Sequence, residues 1–252
     1  MPPMDAPSAF PIAPAPFSGK SRRAEAGACF DWLRQAWAMF AANPGVWVSM
    51  ALLLIVFYLA LSIVPFLGSF AANLLLPAFS AGVLAMCRHQ AQGEEASLNH
   101  LLEGFQGTAA SGLVVVGALY GAALLLIVGV AFMVAGGGVV GGLVMGRPAG
   151  LGVAFGGLMV SLLLILVLAT PLIMAMFFAP ALVFFHGMPP VAAMKASFHA
   201  CALNWLSLSV YGLLLSVLMF FALLPVGLGL LVLIPLLYGT LYAAYRDIFP
   251  AS

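Results

Sequence analysis

Residues 29–89 decide the fold and read CFDWLRQAWAMFAANPGVWVSMALLLIVFYLALSIVPFLGSFAANLLLPAFSAGVLAMCRH. The stretch predicts a short amphipathic helix followed by two apolar helices joined by a tight turn. Asn43 and Pro44 separate the first two helices, since asparagine is a strong N-cap and proline suits the first helical position. We predict apolar helices over residues 46–66 and 70–87, with Pro65 in the turn between them.

The composition of the 252-residue chain excludes an ordinary soluble domain. Hydrophobic residues make up 65% of it and charged residues only 6%, whereas soluble domains carry about 25% charged residues. Residues 35–87, 104–146, 148–194 and 196–245 contain no charged side chain, and a helix needs about 20 apolar residues to cross a bilayer. We therefore predict an all-α polytopic membrane protein with six transmembrane helices, arranged as three hairpins.

The remaining segments extend this plan along the chain. Residues 1–23 are rich in proline and predict a disordered cytoplasmic tail, while residues 24–252 are expected to form one membrane domain. We predict that an amphipathic helix on the cytoplasmic face precedes each hairpin, and that Trp32, Trp37 and Trp47, on and just after the first such helix, lie at the depth of the bilayer interface. Residues 136–157 contain ten glycines, each of which costs about 1 kcal/mol in a helix, so we predict a flexible outer loop there.

The chain is expected to contain three repeat-like units, at residues 24–89, 97–186 and 190–248. The first and last units share five features in the same order, and the matching residues are separated along the chain by nearly constant distances. Arg34 and Lys195, like Asn43 and Asn204, are 161 residues apart, and Pro65 and Pro225 are 160 apart. Pro77 and Pro235, like Arg88 and Arg246, are 158 residues apart. The middle unit follows the plan more loosely. The predicted helix breaks are Asn43, Pro44, Pro65, Pro77, Pro171, Pro180, Pro225 and Pro235.

The basic residues predict the orientation in the membrane. If the N-terminus is cytoplasmic, seven of the eight Lys and Arg residues lie on the inner face and only Arg147 lies outside. Cytoplasmic loops of membrane proteins are enriched in Lys and Arg, so both termini are predicted to be cytoplasmic.

Two stretches carry a resemblance to a known family. Residues 32–47 read WLRQAWAMFAANPGVW, and residues 177–205 read FFAPALVFFHGMPPVAAMKASFHACALNW. Together with the hairpin after the first stretch, they resemble a family of six-span bacterial inner-membrane proteins, chiefly betaproteobacterial, that carry a locus-tag name and have no established activity. The resemblance covers residues 24–248 and implies a fold and an inner-membrane location, but no functional residue.

The chemistry of the predicted spans argues against an enzyme. No span contains a carboxylate, Lys, Arg or His, and such groups usually mark function when they occur in lipid. We therefore expect no catalytic residue, no cofactor and no proton-coupled transport. His89, His100, His186 and His199 fall at the inner interface, but their spacing matches no metal-ligand motif and favours solvated side chains over a metal site.

Two sets of polar residues remain as candidate sites. A midplane set would line a polar path between the repeats or bond neighbouring helices, and comprises Asn73, Ser80, Thr170 and Tyr238. A basic set would contact anionic lipid headgroups or act only as a topology signal, and comprises Arg22, Arg23, Arg34 and Lys195.

Two functional hypotheses follow from these sets. The first is a non-enzymatic inner-membrane protein that organises the membrane or binds lipid or a partner at the inner face. The alternative is a facilitator or transporter of an uncharged solute along the midplane residues. The lipid bilayer is the expected partner, a protein partner or homo-oligomer stays open, and the net charge of +1 argues against nucleic acid.

Overall fold

The computed structural model describes residues 19–25, 27–64, 67–145 and 148–250. Among the features predicted above, residues 1–18 of the tail, Pro65 and Arg147 lie outside the described residues. Within the described ranges every regular element is a helix and none is a β-strand. The prediction of an all-α fold is thus confirmed for this part of the chain.

Short connections join the helices. In chain order these are α1 (Ala28–Ala42), α2 (Pro44–Ser62), α3 (Leu67–Ala91), a 3₁₀ helix (Leu98–Phe105), α4 (Ala109–Met145), α5 (Pro148–Phe177), α6 (Ala179–His186), α7 (Pro190–Leu203), α8 (Trp205–Leu223) and α9 (Leu230–Ile248).

Of the predicted helix breaks that the structure describes, four fall at helix starts or turns, whereas α3, α5 and α9 continue through the other three prolines without a break. Pro44 begins α2, and Pro180 lies in the first turn of α6. Pro225 lies in the turn between α8 and α9. The internal prolines are Pro77, Pro171 and Pro235, in α3, α5 and α9 respectively. Asn43 precedes α2 but makes no side-chain capping bond there.

Among the residues that the structure describes, five helical stretches are long and apolar enough to cross a membrane, at residues 44–62, 67–91, 109–144, 150–186 and 205–223. The predicted sixth span, α9, is not among them. Its apolar first half is followed by Tyr, Gly and Thr residues and by Arg246 and Asp247, which lower its mean hydropathy. The fold therefore contains several membrane-spanning helices, while the count of six stays a prediction.

The protein core lies around the C-terminal halves of α3 and α9. We call this end of the molecule the core end. The second half of α3, from Pro77 to Cys87, is buried there, together with most of α6 and the second half of α9. The apolar helices differ in burial. In α3, 61% of the most apolar stretch is buried inside the protein, whereas only 11% of the most apolar stretch within residues 150–186 is buried. The exposed apolar surfaces of α4, α5 and α8 are suited to contact with lipid.

The prediction of a flexible loop over residues 136–157 is wrong. Residues 136–145 continue α4, and residues 148–157 belong to α5. The two helices pack closely through their glycines, so that a Cβ on Gly157 would lie 2.7 Å from the Gly138 Cα, and one on Gly142 would lie 2.3 Å from the Gly150 carbonyl oxygen. In lipid the backbone must satisfy its own hydrogen bonds, and small residues let two helices approach.

Two of the three tryptophans predicted at the bilayer interface belong to the core instead. Trp32 and Trp47 are each 1% exposed, whereas Trp37 is 53% exposed. Trp32 lies on the face of α1 that packs against α9, where Ala36 contacts Gly239. Small residues on this face bring the two helices together, and the larger exposed side chains lie on the opposite face.

Within residues 19–23, the described part of the predicted tail, Arg22 bonds to the end of α9 and Gly19 lies beside Met188. The Arg22 backbone N–H donates to the Ile248 carbonyl at 2.9 Å. Asn204, which precedes α8, accepts a hydrogen bond from the Ala24 N–H and donates to the Arg22 carbonyl. These backbone contacts fix the segment, so the tail prediction is wrong for these residues.

Candidate functional site

The four predicted midplane residues do not assemble into one site. The Ser80 and Tyr238 hydroxyls meet at 3.5 Å between α3 and α9. Asn73 Nδ2 donates to the Ser69 carbonyl of its own helix, and Thr170 Oγ1 donates to the Leu166 carbonyl of its own helix. In the described chain, therefore, only two of the four contact each other, and no shared polar path joins them.

A cavity of about 500 Å³ lies beside this pair, among α2, α5, α8 and α9. Its walls are apolar except for three tyrosines, Tyr58, Tyr211 and Tyr238. Tyr238 shares a hydrogen bond with Ser80. The buried Tyr58 hydroxyl has no hydrogen-bond partner among the described residues, and an unpaired buried hydroxyl costs free energy.

Replacing Tyr58 with phenylalanine is expected to raise the free energy of unfolding by about 1 kcal/mol, because leaving a buried polar group unpaired costs about 1–3 kcal/mol. Tyr238→Phe is the matched control in the same cavity and should lower stability, because it removes the hydrogen bond to Ser80. Thermal denaturation of both variants in one detergent measures the two signs. A loss of stability in both would contradict this account of Tyr58.

The predicted basic residues are divided between ion pairs and exposed positions. Arg22 forms an ion pair with Asp247, and Arg34 forms one with Asp31 at 3.1 Å. Arg23 and Lys195 are exposed and make no ion pair with the described residues. Arg22 and Arg23 line one pocket, but that pocket also contains three acidic residues and neither Arg34 nor Lys195, so the four side chains form no common anion site.

Two other arginines converge on one cleft at the core end. This basic cleft has a volume of about 530 Å³, and the residues that define it are Arg88, Arg246, Phe185, His186, Tyr242 and Tyr245. The Arg88 guanidinium carbon lies 5.0 Å from the Phe185 ring centroid, and that of Arg246 lies 5.9 Å from the Tyr242 centroid. His186 Nε2 lies 2.6 Å from the Tyr245 hydroxyl. Charge and aromatic surface are thus combined in one place.

The charges of the basic cleft are only partly neutralised. Arg88 lies 3.6 Å from Glu103, in an ion pair that keeps both side chains partly exposed. The neighbour of Arg246, Asp247, is already bonded to Arg22 and to the Trp32 indole. Arg246 itself is exposed and makes no ion pair with a described carboxylate. The cleft therefore keeps a positive charge that an anion would neutralise.

Two of the four histidines come together beside Arg88, which spacing along the chain did not predict. The His89 and His100 rings stack with centroids 3.9 Å apart. Both rings present a nitrogen to Glu103 Oε1, at 3.0 Å from His89 Nε2 and at 2.6 Å from His100 Nδ1. His199 is exposed on α7, far along the chain from this cluster.

The cysteines offer no activated nucleophile. Cys29, Cys87 and Cys201 are all buried free thiols. Burial raises the pKa of Cys29 and raises that of Cys201 to about 12. Because the thiolate is the reactive form, these two groups stay protonated and unreactive at neutral pH.

The chain is similar to a protein described as a "Probable inner membrane protein" from Burkholderia thailandensis. The two are 29% identical over 246 residues, which cover 87% of this chain and 90% of the relative. No protein-family model matches the chain, and no solved structure matches it. The resemblance to inner-membrane proteins of this kind is thereby confirmed. With its apolar helices, the chain is an integral membrane protein.

Proposed function

We propose that the protein is a non-enzymatic, six-span protein of the bacterial inner membrane that binds the anionic headgroup of a lipid in the basic cleft. The observation that carries the proposal is the convergence of Arg88 and Arg246 on one cleft with aromatic walls. Lipid headgroups of the inner leaflet carry phosphate, which arginine binds through charge-assisted hydrogen bonds.

The proposed topology adds α9 to the five apolar stretches. At 19 residues it extends about 28 Å, close to the hydrocarbon thickness of about 30 Å. Three hairpins result, namely α2 with α3, α4 with α5, and α8 with α9. The excess of Lys and Arg on one side of this arrangement supports cytoplasmic termini and puts the basic cleft at the cytoplasmic interface.

Contact between equivalent positions supports the repeat. Ser80 and Tyr238 are separated by 158 residues and hydrogen-bond to each other. Arg88 and Arg246 have the same separation and line the same cleft. Parallel repeats related by an axis along the membrane normal bring equivalent residues near that axis together. In this arrangement the first and the last repeat-like units each contribute one arginine to the headgroup site.

The dimensions and walls of the cleft suit an amphiphile. Its volume of about 530 Å³ falls within the roughly 300–1,000 Å³ of small-molecule pockets. Phe185 and Tyr242 flank the guanidinium groups, and such amphipathic rings favour the depth at which headgroups meet acyl chains. The transport hypothesis has no comparable support, because Asn73 and Thr170 bond to their own helices.

Native mass spectrometry of the purified protein with phosphatidylglycerol or phosphatidylcholine tests the proposal. Arg246→Gln should weaken phosphatidylglycerol binding about fivefold, since one basic residue near an anionic surface contributes about 1 kcal/mol. The matched control is Arg34→Gln, which removes an exposed arginine outside the cleft and should leave binding unchanged. Equal binding of both lipids by the unmodified protein, or equal losses in both variants, would refute the proposal.

A further inference from the structure

We propose that His89, His100 and Glu103 bind a divalent transition-metal ion, for which Zn²⁺ is the natural probe. Each residue offers one ligand atom, and the three atoms all lie within 4.8 Å of one another. Two imidazole nitrogens and one carboxylate oxygen form a donor set that zinc favours, with a fourth position left for water. The proposal does not depend on lipid binding in the basic cleft.

The fold brings these residues together from two elements. His89 lies in the last turn of α3, and His100 and Glu103 lie on the 3₁₀ helix. Residues three apart eclipse each other in a 3₁₀ helix, so His100 and Glu103 share a face. Ser97 begins this helix and accepts a hydrogen bond from the Asn99 N–H.

Two glycines hold the 3₁₀ helix directly against α3. A Cβ on Gly82 would lie 2.2 Å from the Leu101 carbonyl oxygen, and a Cβ on Gly104 would lie 1.9 Å from the Ala78 carbonyl oxygen. Backbone thus meets backbone at Leu101, the neighbour of His100, and at Gly104, the neighbour of Glu103. This close contact holds the backbones that carry the two histidines near each other without any metal ion, so that only the side chains must reorient on binding.

To admit an ion, the ligand atoms must move slightly apart, and the two rings, which are stacked at 14° to each other, must tilt so that their lone pairs meet. Zinc bonds to His nitrogen and carboxylate oxygen are about 2.0–2.2 Å long, which puts tetrahedral ligand atoms roughly 3.3–3.5 Å apart. Glu103 Oε1 lies 3.0 Å from His89 Nε2 and 2.6 Å from His100 Nδ1. The three side chains are 21–28% exposed, so an ion reaches them from solvent.

A second carboxylate supplies the support that metal-binding histidines usually have. Glu94 Oε2 lies 2.5 Å from His89 Nδ1, on the opposite side of the ring from Glu103. Metal-ligating imidazoles commonly donate their second N–H to a carboxylate, which fixes the tautomer and strengthens the ligand. With Glu94 on Nδ1, His89 directs the Nε2 lone pair towards the proposed ion.

Metal binding to the full-length, tag-free protein in detergent tests the proposal. After chelator treatment, calorimetry should detect about one Zn²⁺ per chain, and Co²⁺ should give the absorption bands of tetrahedral coordination. His100→Ala and Glu103→Gln should abolish this binding, and Glu94→Gln should weaken it about 10–100-fold. His199→Ala is the matched control, because it removes an exposed histidine elsewhere, and it should bind as the unmodified protein does.

Because a substituted variant can lose metal binding by misfolding, the proposal is also tested on the unmodified protein. Zn²⁺ should raise the thermal denaturation midpoint of the unmodified protein, and chelator should reverse the shift, since a ligand that binds only the folded state stabilises it. His100→Gln, closer in size to histidine, should fold and show no shift. Absence of saturable Zn²⁺ binding, or an unchanged affinity in folded His100→Gln, would overturn the proposal.

Discussion

Replacing Trp32 with alanine is expected to lower the free energy of unfolding by about 3–5 kcal/mol, the usual cost of truncating a buried aromatic residue. The indole is 1% exposed. Its Nε1–H donates to Asp247 Oδ2 at 2.9 Å. The substitution therefore opens a cavity between α1 and α9 and also removes a hydrogen bond from a charged group.

Asp247 makes Trp32 more important than its volume alone suggests. The same carboxylate pairs with Arg22, whose backbone N–H donates to the Ile248 carbonyl at 2.9 Å. One cluster thus joins the segment before α1, helix α1 and the end of α9. Loss of the indole weakens three elements at once, and the cost should fall at the upper part of the range.

Trp37 on the same helix is the matched control. It is 53% exposed, so Trp37→Ala should change stability by only about 0.5 kcal/mol. Trp32→Phe keeps most of the volume and removes the donor, which should cost about 1.5–3 kcal/mol because the acceptor is charged. Far-UV circular dichroism during thermal denaturation compares all three. Similar shifts for Trp32→Ala and Trp37→Ala would show that the indole is not a core residue.

Local sequence pattern predicted the all-α fold class and the helix boundaries at Pro44, Pro180 and Pro225. Uncharged stretches that are long enough to span a bilayer can be recognised without knowing how the helices pack. Pro44, Pro180 and Pro225 affect helices through the geometry of their own residues. The face of α1 that packs on α9 was not predicted from the sequence. Small side chains such as Ala36 contact Gly239 there, and periodicity of large apolar residues gives no signal for such a face.

The candidate sites depended on contacts between distant residues, and for that reason they were predicted less well. Arg88 and Arg246 were recognised only as matching positions of two repeats, although a shared separation of 158 residues was a signal that they meet near an axis. His89 and His100 showed no ligand spacing, because α3 and the 3₁₀ helix bring them together through Gly82 and Gly104. Four midplane residues were grouped by depth alone, and only Ser80 and Tyr238 contact each other.

The glycine-rich stretch shows where a helix propensity from aqueous peptides misleads. The penalty of about 1 kcal/mol per glycine counts the exposure of backbone to water and the freedom of the unfolded chain. In a bilayer an unsatisfied backbone group costs several kcal/mol, so helix is kept. The glycines then allow α4 and α5 to approach each other closely. Whether a larger residue can replace a given glycine depends on whether that glycine faces the other helix.

Gly157→Leu is expected to lower the free energy of unfolding by about 3 kcal/mol, the upper part of the range for overpacked positions. A Cβ there would lie 2.7 Å from the Gly138 Cα, and backbone cannot rotate away as a side chain can. The two helices would have to separate where their backbones meet. For a chain of this size, such a loss shifts the denaturation midpoint by roughly 6–12 °C.

The adjacent glycine supplies the control for this prediction. A Cβ on Gly156 would meet nothing within 4 Å, so Gly156→Leu places an apolar side chain in open space on α5. Leucine also has a higher helix propensity than glycine, by about 0.5–1 kcal/mol, and Gly156→Leu should therefore leave stability unchanged or raise it. Thermal denaturation of the two variants in one detergent decides the matter. If both lose the same stability, the glycines act through backbone flexibility, and the close α4–α5 contact does not explain them.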